Sequence, residues 1–348
     1  LRALTFHGKQ DIRYESVADP ALLSPTDAIL KVHLAGICGS DLHVYHEREK
    51  GLDAGTVMGH EFVGEIVAAG REVKKFKRGD WVCSPFTTNC GECFFCRIGL
   101  TARCTYSQLF GWVQDGVGLQ GGQAEFVRVP LAEATLLAIP ENVLMEEALL
   151  AGDVLATGYF CAERAEGQPG GVYAVIGCGP VGLMAIIASR ELGAEQIYAI
   201  DNQPARLALA EYFGAIPLNF QQTDPVEVIH AATAGRGVEA VMEAVGREAA
   251  MKLAFALVRP GGIIAAAGVH HAPTFAFSPG EAYDKNLTYR TGRCSARVYA
   301  ERLLPLLQQR KYALSRIISH RLPLAQGPRG YQIFDEKRDD GTKVILQP

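Results

Sequence analysis

Val172-Tyr173-Ala174-Val175-Ile176-Gly177-Cys178-Gly179-Pro180-Val181-Gly182 is the stretch from which the rest of the chain is best read. Five apolar residues in a row describe a strand buried on both faces. The strand runs straight into a G-x-G-x-x-G turn, and a helical pattern follows through Leu183, Ala185, Ile186 and Leu192. Gln196-Ile197-Tyr198-Ala199-Ile200 then reads as a second strand ending at Asp201, about 20 residues past the glycines. Glycines let a backbone approach a pyrophosphate, and a helix N-terminus favours its negative charge. Gly177, Gly179, Pro180, Val181 and Gly182 are therefore predicted to hold a dinucleotide. Asp201 is predicted to accept hydrogen bonds from the adenosine ribose hydroxyls. A 2′-phosphate would meet a carboxylate there, so NAD is expected over NADP. Arg206 either flanks the adenine or lies on the solvated face of a helix over 204–213.

Outward from this unit the alternation continues. The segments 238–245, 263–267 and 287–291 read as strands and 248–257 as a helix, which predicts a doubly wound parallel sheet in an α/β fold. Past Cys294 come a helix over 298–309 and then mixed turns. The ending Gly341-Thr342-Lys343-Val344-Ile345-Leu346 reads as a strand able to rejoin the front of the chain.

Residues 1–150 look different. Short strands over 28–34, 62–70, 79–83 and 124–129 are broken by glycine and proline, which fits a compact, mostly β domain. Within it, Gly36-Ile37-Cys38-Gly39-Ser40-Asp41-Leu42-His43 and Gly59-His60-Glu61 crowd a thiol, imidazoles and carboxylates together. Thiolate and neutral imidazole are favoured zinc ligands, so Cys38 and His60 are candidate metal ligands. Cys90, Cys93, Cys96 and Cys104 follow with the spacing C-x2-C-x2-C-x7-C. Four thiolates close a tetrahedron around Zn²⁺ at about 2.3 Å each, with no position open for substrate. The expected role of this site is to staple the loop 90–104. An iron–sulfur cluster also uses four cysteines, but nothing else here suggests electron transfer.

At 348 residues the chain exceeds a comfortable single core, so two domains are expected. A net charge of −4 gives no electrostatic footprint for nucleic acid or an anionic membrane. No apolar run is long enough to span a bilayer, and the opening residues lack a signal-peptide pattern. The count of nine cysteines is odd, and four of them crowd one loop. That argues for metal ligation in a reducing cytoplasm rather than a disulfide framework.

In G-x-C-G-S-D-x-H, G-H-E-F-x-G, Gly79-Asp80-Trp81-Val82, the four-cysteine loop, the Thr157-Gly158-Tyr159 turn and the glycine fingerprint, the chain resembles the zinc-dependent medium-chain alcohol dehydrogenases. The resemblance runs over essentially the whole length. It implies a GroES-like catalytic domain (1–154 and 295–348) interrupted by a Rossmann domain (155–294), with the active site in the cleft between them. It implies one catalytic and one structural Zn²⁺, NAD as cofactor, and conversion of a primary or secondary alcohol to an aldehyde or ketone. The relatives further imply a homotetramer or a dimer.

By the same resemblance Cys38 and His60 are two catalytic zinc ligands. Many relatives supply a second cysteine as the third. Here Asp153 takes that place, as in bacterial secondary-alcohol dehydrogenases, and exchanges a soft donor for a hard one at equal charge. Glu61 is matched to an acid that sits behind the zinc or ligates it transiently, and Asp41 to the acceptor that fixes the His60 ring. Ser40 is matched to the group that hydrogen-bonds the alcohol, and His43 to the end of a proton relay. Trp112 is matched to a substrate-pocket tryptophan, Thr157 to a contact on the nicotinamide, Val245 and Val269 to the cofactor cleft, and Lys343 to the pyrophosphate. Gly39 stands where some relatives carry an arginine for the phosphates. His270 and His271 read as solvated.

Other readings are a formaldehyde, polyol or threonine dehydrogenase of the same family. The stretch Gly121-Gly122-Gln123-Ala124-Glu125-Phe126-Val127-Arg128-Val129-Pro130 resembles the glutathione-independent formaldehyde group, although the long insertion common in that group is not evident. A non-catalytic structural relative is disfavoured, because Cys38, His60 and Asp153 are all present.

Overall fold

Val172–Ile176 forms the strand read from the sequence, and a six-stranded sheet is laid down around it in the computed structural model, which describes residues 1–348. Across the sheet the strands run Ile216–Asn219, Gln196–Asp201, Val172–Ile176, Val238–Glu243, Val258–Ala266 and Thr288–Thr291. Every neighbouring pair is parallel. The chain winds outward one way from Val172–Ile176 and then the other way from Val238–Glu243. Such a reversal opens a crevice at the carboxyl ends of the two strands. Helices Pro180–Glu191, Pro204–Tyr212, Pro225–Ala232 and Glu248–Leu257 connect the strands, and Ala174, Ile176, Val241, Leu257 and Ile264 are among the residues of the core. This is the doubly wound α/β architecture expected. It lies in a unit spanning Thr157–Cys294.

The other unit comprises Leu1–Ala156 with Ser295–Pro348. Its main sheet has seven strands, with Ala28–Ile37 as the hub. That strand pairs antiparallel with Phe62–Ala69, with Phe126–Val129 and with the last strand, Lys343–Gln347. The chain's end therefore returns to the sheet of its front half.

The stretch past residue 309 departs from the sequence reading. Where mixed turns are expected it holds the strand Ile318–Pro323. It also holds a helix, Gly327–Glu336. Two glycines and a proline give that helix poor intrinsic propensity. Burial of Tyr331, Ile333 and Phe334 in the core of this unit holds it in place. Tertiary packing of one face supplies most helical stability in proteins.

Candidate metal centre

The antiparallel register that sets Ala35 opposite Phe62 brings the end of one strand beside the start of the next. Cys38 follows the first strand and His60 precedes the second, so both emerge at the same edge. Asp153 arrives from the turn between helices Met145–Ala151 and Val154–Arg164. These three residues and Glu61 are all buried. Cys38 Sγ lies 3.2 Å from Asp153 Oδ2, and His60 Nε2 lies 3.3 Å from the same oxygen. One donor atom from each of Cys38, His60, Glu61 and Asp153 falls within 4.8 Å of the others. Tetrahedral N, O and S donors at zinc bond lengths stand about 3.3–3.6 Å apart, so the spacing suits a metal.

Glu61 gives an independent sign. Its Oε2 is paired with the Lys343 ammonium, while Oε1 is buried and receives no hydrogen bond. An unsatisfied buried acceptor costs about 1–3 kcal/mol, more when charged. A cation beside Oε1 would remove that cost. Gly36 makes room for this carboxylate, since a Cβ there would stand 1.9 Å from Glu61 Oε2.

The protonation pattern points the same way. Burial, aided by the Asp153 and Glu61 carboxylates, pushes the Cys38 thiol up to about 12. Burial also pushes Glu61 up to about 7, against the opposing pull of Lys343. For His60, burial disfavours the charged ring, but the Asp41 and Asp153 carboxylates outweigh it and hold the ring well above its ordinary value. For Asp153, burial would raise the carboxyl, but the hydrogen bond from His60 holds it well below the usual carboxylate range. Without a cation the cluster keeps protons on Cys38 and His60; a metal would displace both.

Asp41 Oδ1 faces His60 Nδ1 at 3.3 Å, which turns Nε2 toward Cys38 and Asp153. Ser40 Oγ lies 3.2 Å from that same Nε2. His43 is half-buried in the short helix Asp41–Tyr45. Trp112 is half-buried and packs against the core of this unit. The expectation for Lys343 needs correction. Its side chain is fully buried, its ammonium pairs with Glu61, and it donates to the Ile37 carbonyl at 3.1 Å. Turning it toward a pyrophosphate would strand Glu61 as an uncompensated buried charge.

In the four-cysteine loop the sulfurs of Cys90, Cys93, Cys96 and Cys104 also lie within 4.8 Å of one another. Backbone N–H groups aim at them: Cys93 N at Cys90 Sγ (3.3 Å) and Cys90 N at Cys104 Sγ (3.3 Å). Backbone donation at Cys96 and Thr105 brings the Cys93 thiol down to about 6, whereas burial and the hydrogen bond with Cys93 push Cys96 up to about 12. The Cys93 sulfur is thus ionised at neutral pH, whereas Cys96 gives up its proton on binding. The all-sulfur donor set fits a closed structural site.

In the second unit, Gly177 has φ +89°, and a Cβ on Gly182 would stand 1.8 Å from the Gly177 carbonyl. Those two glycines serve the tight turn. A Cβ on Gly179 would meet nothing nearer than Arg206 Nη1 at 3.6 Å, so that glycine leaves open the space a pyrophosphate needs. Pro180 and Val181 begin the helix Pro180–Glu191. Asp201 is buried; its Oδ2 accepts from Cys178 N at 2.7 Å and its Oδ1 from Asn202 N and Gln203 N. A carboxylate has about four acceptor sites, so capacity remains for a ligand hydroxyl. Arg206 is half-buried close by; burial lowers its pKa while Asp201 and Cys178 oppose the shift. Val245 and Val269 are exposed beyond the carboxyl ends of their strands, and Thr157 is half-buried in its helix.

Sequence reasoning missed Glu243. It is fully buried, and its Oε1 accepts from Val245 N and Gly246 N at 2.8 Å each. Its Oε2 pairs with His270 Nε2 at 2.8 Å, so His270 is half-buried rather than solvated. An acid at a strand end was the available signal. The Lys343–Glu61 pair had none, because its partners lie at opposite ends of the sequence.

Residues 24–141 match the alcohol dehydrogenase GroES-like domain, and residues 180–309 the zinc-binding dehydrogenase domain. A zinc-type alcohol dehydrogenase B of Aspergillus flavus is 39% identical, over 100% of this chain and 81% of that protein. An L-threonine 3-dehydrogenase of Bacillus velezensis is 31% identical, over 94% of this chain and 92% of its own length. Among solved structures, the alcohol dehydrogenase TADH of Thermus sp. ATN1 superposes with a TM-score of 0.93 at 43% identity, covering 100% of this chain and 99% of that one.

Proposed function

The chain belongs to the zinc-dependent medium-chain alcohol dehydrogenase family, and from that premise we propose that it passes hydride from a primary or secondary alcohol to NAD. The observation that carries the proposal is the buried cluster of Cys38, His60, Glu61 and Asp153, with its unsatisfied carboxylate oxygen. Cys38, His60 and Asp153 would hold the catalytic zinc, with Glu61 beside them, and the four cysteines would hold a structural one. When bound, zinc would supply Lewis-acid polarisation of the alcohol oxygen and NAD would accept the hydride.

The chain's own residues do the remaining work. Ser40, close to the metal-facing nitrogen of His60, hydrogen-bonds the substrate hydroxyl and accepts its proton while passing its own hydroxyl proton on toward His43. His43, half-buried three residues on, is the base that delivers the proton to water. Asp41 holds the His60 ring in the tautomer that presents a lone pair at Nε2. The glycine turn and the following helix N-terminus bind the pyrophosphate, and Asp201 binds the adenosine ribose.

The test is metal content followed by NADH formation, across primary, secondary, cyclic and polyol substrates and threonine. Two zinc per chain and alcohol-dependent NADH formation, lost to a chelator and restored by zinc, are expected. Metal in the four-cysteine loop alone, or no reduction with any alcohol, would overturn the assignment. Polyol or amino-alcohol specificity is a second reading, favoured by the likeness to the threonine dehydrogenase. Arg206 beside Asp201 likewise favours a second reading of the cofactor, NADP, whose phosphate it could pair. Replacing Asp201 with Asn should cut the preference for NAD over NADP about tenfold, the scale of one charged contact.

A further inference from the structure

We propose that Gln123 and Tyr331 are positioning residues for the metal centre: they hold Asp41 against His60 and so set how firmly the cluster retains its cation. The inference rests on the reading that Cys38, His60 and Asp153 bind a metal. It adds to that reading a buried relay reaching from the last helix of the chain.

Asp41 serves both candidate ligands of the front loop. Its Oδ2 accepts from Cys38 N at 2.9 Å, and its Oδ1 faces His60 Nδ1 at 3.3 Å. Gln123 stands behind it, fully buried, with Nε2 3.3 Å from Asp41 Oδ2 and 2.9 Å from the Gly36 carbonyl. The Tyr331 hydroxyl, also fully buried, donates to Gln123 Oε1 at 2.8 Å.

The direction of each bond is forced. The Gly36 carbonyl and the Asp41 carboxylate can only accept, so both need the amide nitrogen, which has two hydrogens. Gln123 Oε1 then needs a donor, and Tyr331 is that donor. The sequence of donation runs from Tyr331 to Gln123 to Asp41. With Oδ2 held by Gln123 and Cys38, Oδ1 is left to His60. Space is kept for this arrangement: a Cβ on Gly59, next to His60, would stand 2.3 Å from Gln123 Cγ. The Tyr331 ring also packs on Tyr45, in the helix that begins at Asp41, with centroids 5.4 Å apart.

Asp41 is the partner directly behind His60, and losing such a partner typically costs about 10–100-fold in metal affinity. Gln123 and Tyr331 act through it, so the lower end of that range is expected. Tyr331→Phe keeps the ring and removes only the donor, which frees the Gln123 amide to rotate. Gln123→Met keeps the length and removes every polar contact.

The experiment follows metal release from zinc-loaded protein to a chromophoric chelator, with the four-cysteine site as internal reference. It also records the ligand-field spectrum of Co²⁺-substituted protein and the melting temperature of each variant. In wild type two equivalents should leave in separable phases. In Tyr331→Phe one equivalent should leave about tenfold faster, and in Gln123→Met faster still. The second equivalent should leave at the wild-type rate, and the Co²⁺ bands of the mixed-donor site should shift. Unchanged release, or equal acceleration of both phases with a matching fall in melting temperature, overturns the proposal. A wild type that holds only one equivalent instead overturns the metal reading beneath it, which separates the two failures.

Discussion

Cys90, Cys93, Cys96 and Cys104 come from one short loop, and only Cys104 is buried. Cys38, His60, Glu61 and Asp153 come from a strand end, a strand start and a helix junction, and all are buried. The first cluster consists of four like donors steadied by backbone N–H groups. The second mixes sulfur, nitrogen and oxygen and balances its charge with a buried lysine. The comparison teaches that a metal used to fasten a loop can be held by local geometry and soft ligands. The mixed cluster draws its donors from distant residues and a lysine counter-charge, so it can form only once the domain has folded.

The sharpest way to break this contrast is Cys38→Ser. Losing the polarising metal forfeits several kcal/mol of transition-state stabilisation, so turnover should fall about 10⁴-fold. NADH binding and one equivalent of metal should persist; loss of NADH binding as well would count against the division of labour. Next comes Lys343→Met. Removing one partner of a buried ion pair costs about 3–5 kcal/mol, to be read from denaturant midpoints. The double variant with Glu61→Gln should recover much of it, and a single variant as stable as wild type would show that the buried cluster does not depend on that lysine.

Cys93→Ser should act on stability rather than chemistry. Opening a cross-linked loop of about 15 residues costs about 3 kcal/mol in the chain-entropy model. Turnover measured well below the melting temperature should change little. The last expected effect is the pH dependence of metal loading in the mixed cluster. Both the Cys38 thiol and the His60 ring are raised, so each carries a proton at neutral pH that metal must displace. Affinity should therefore rise with pH and fall as pH drops, and the Glu61 carboxyl, pushed up to about 7, adds a further proton to displace at the acid end. Asp153, held below its usual range, is already ionised and adds nothing to this slope. Competition titrations with a chelator between about pH 6 and 8 would measure it, and a flat profile would contradict the paired protonation.

Much of this was legible beforehand because the signals are local. An apolar run entering G-x-G-x-x-G is a strand, a turn and a helix read in one window. The C-x2-C-x2-C spacing likewise names its own geometry. Asp153 was legible only through family resemblance, since nothing in its own neighbourhood distinguishes a ligand from a carboxylate at the junction of two helices. Gln123 and Tyr331 were not legible as partners. The helix that carries Tyr331 has weak intrinsic propensity, and their hydrogen bond joins residues 208 positions apart. Lys343 was misplaced for the same reason: a lysine in a terminal strand gives no sign that a buried carboxylate awaits it.

The sequence by itself determined the parallel sheet with its glycine turn and the sulfur-only loop, because in both the interacting residues are near neighbours along the chain. Tertiary structure alone decided that Glu61 is matched by Lys343, that His270 leans on Glu243, and that Asp41 is braced from behind by Gln123. Those contacts depend on which strands and helices meet. In a water-poor interior each polar group must find whatever partner the packing brings to it.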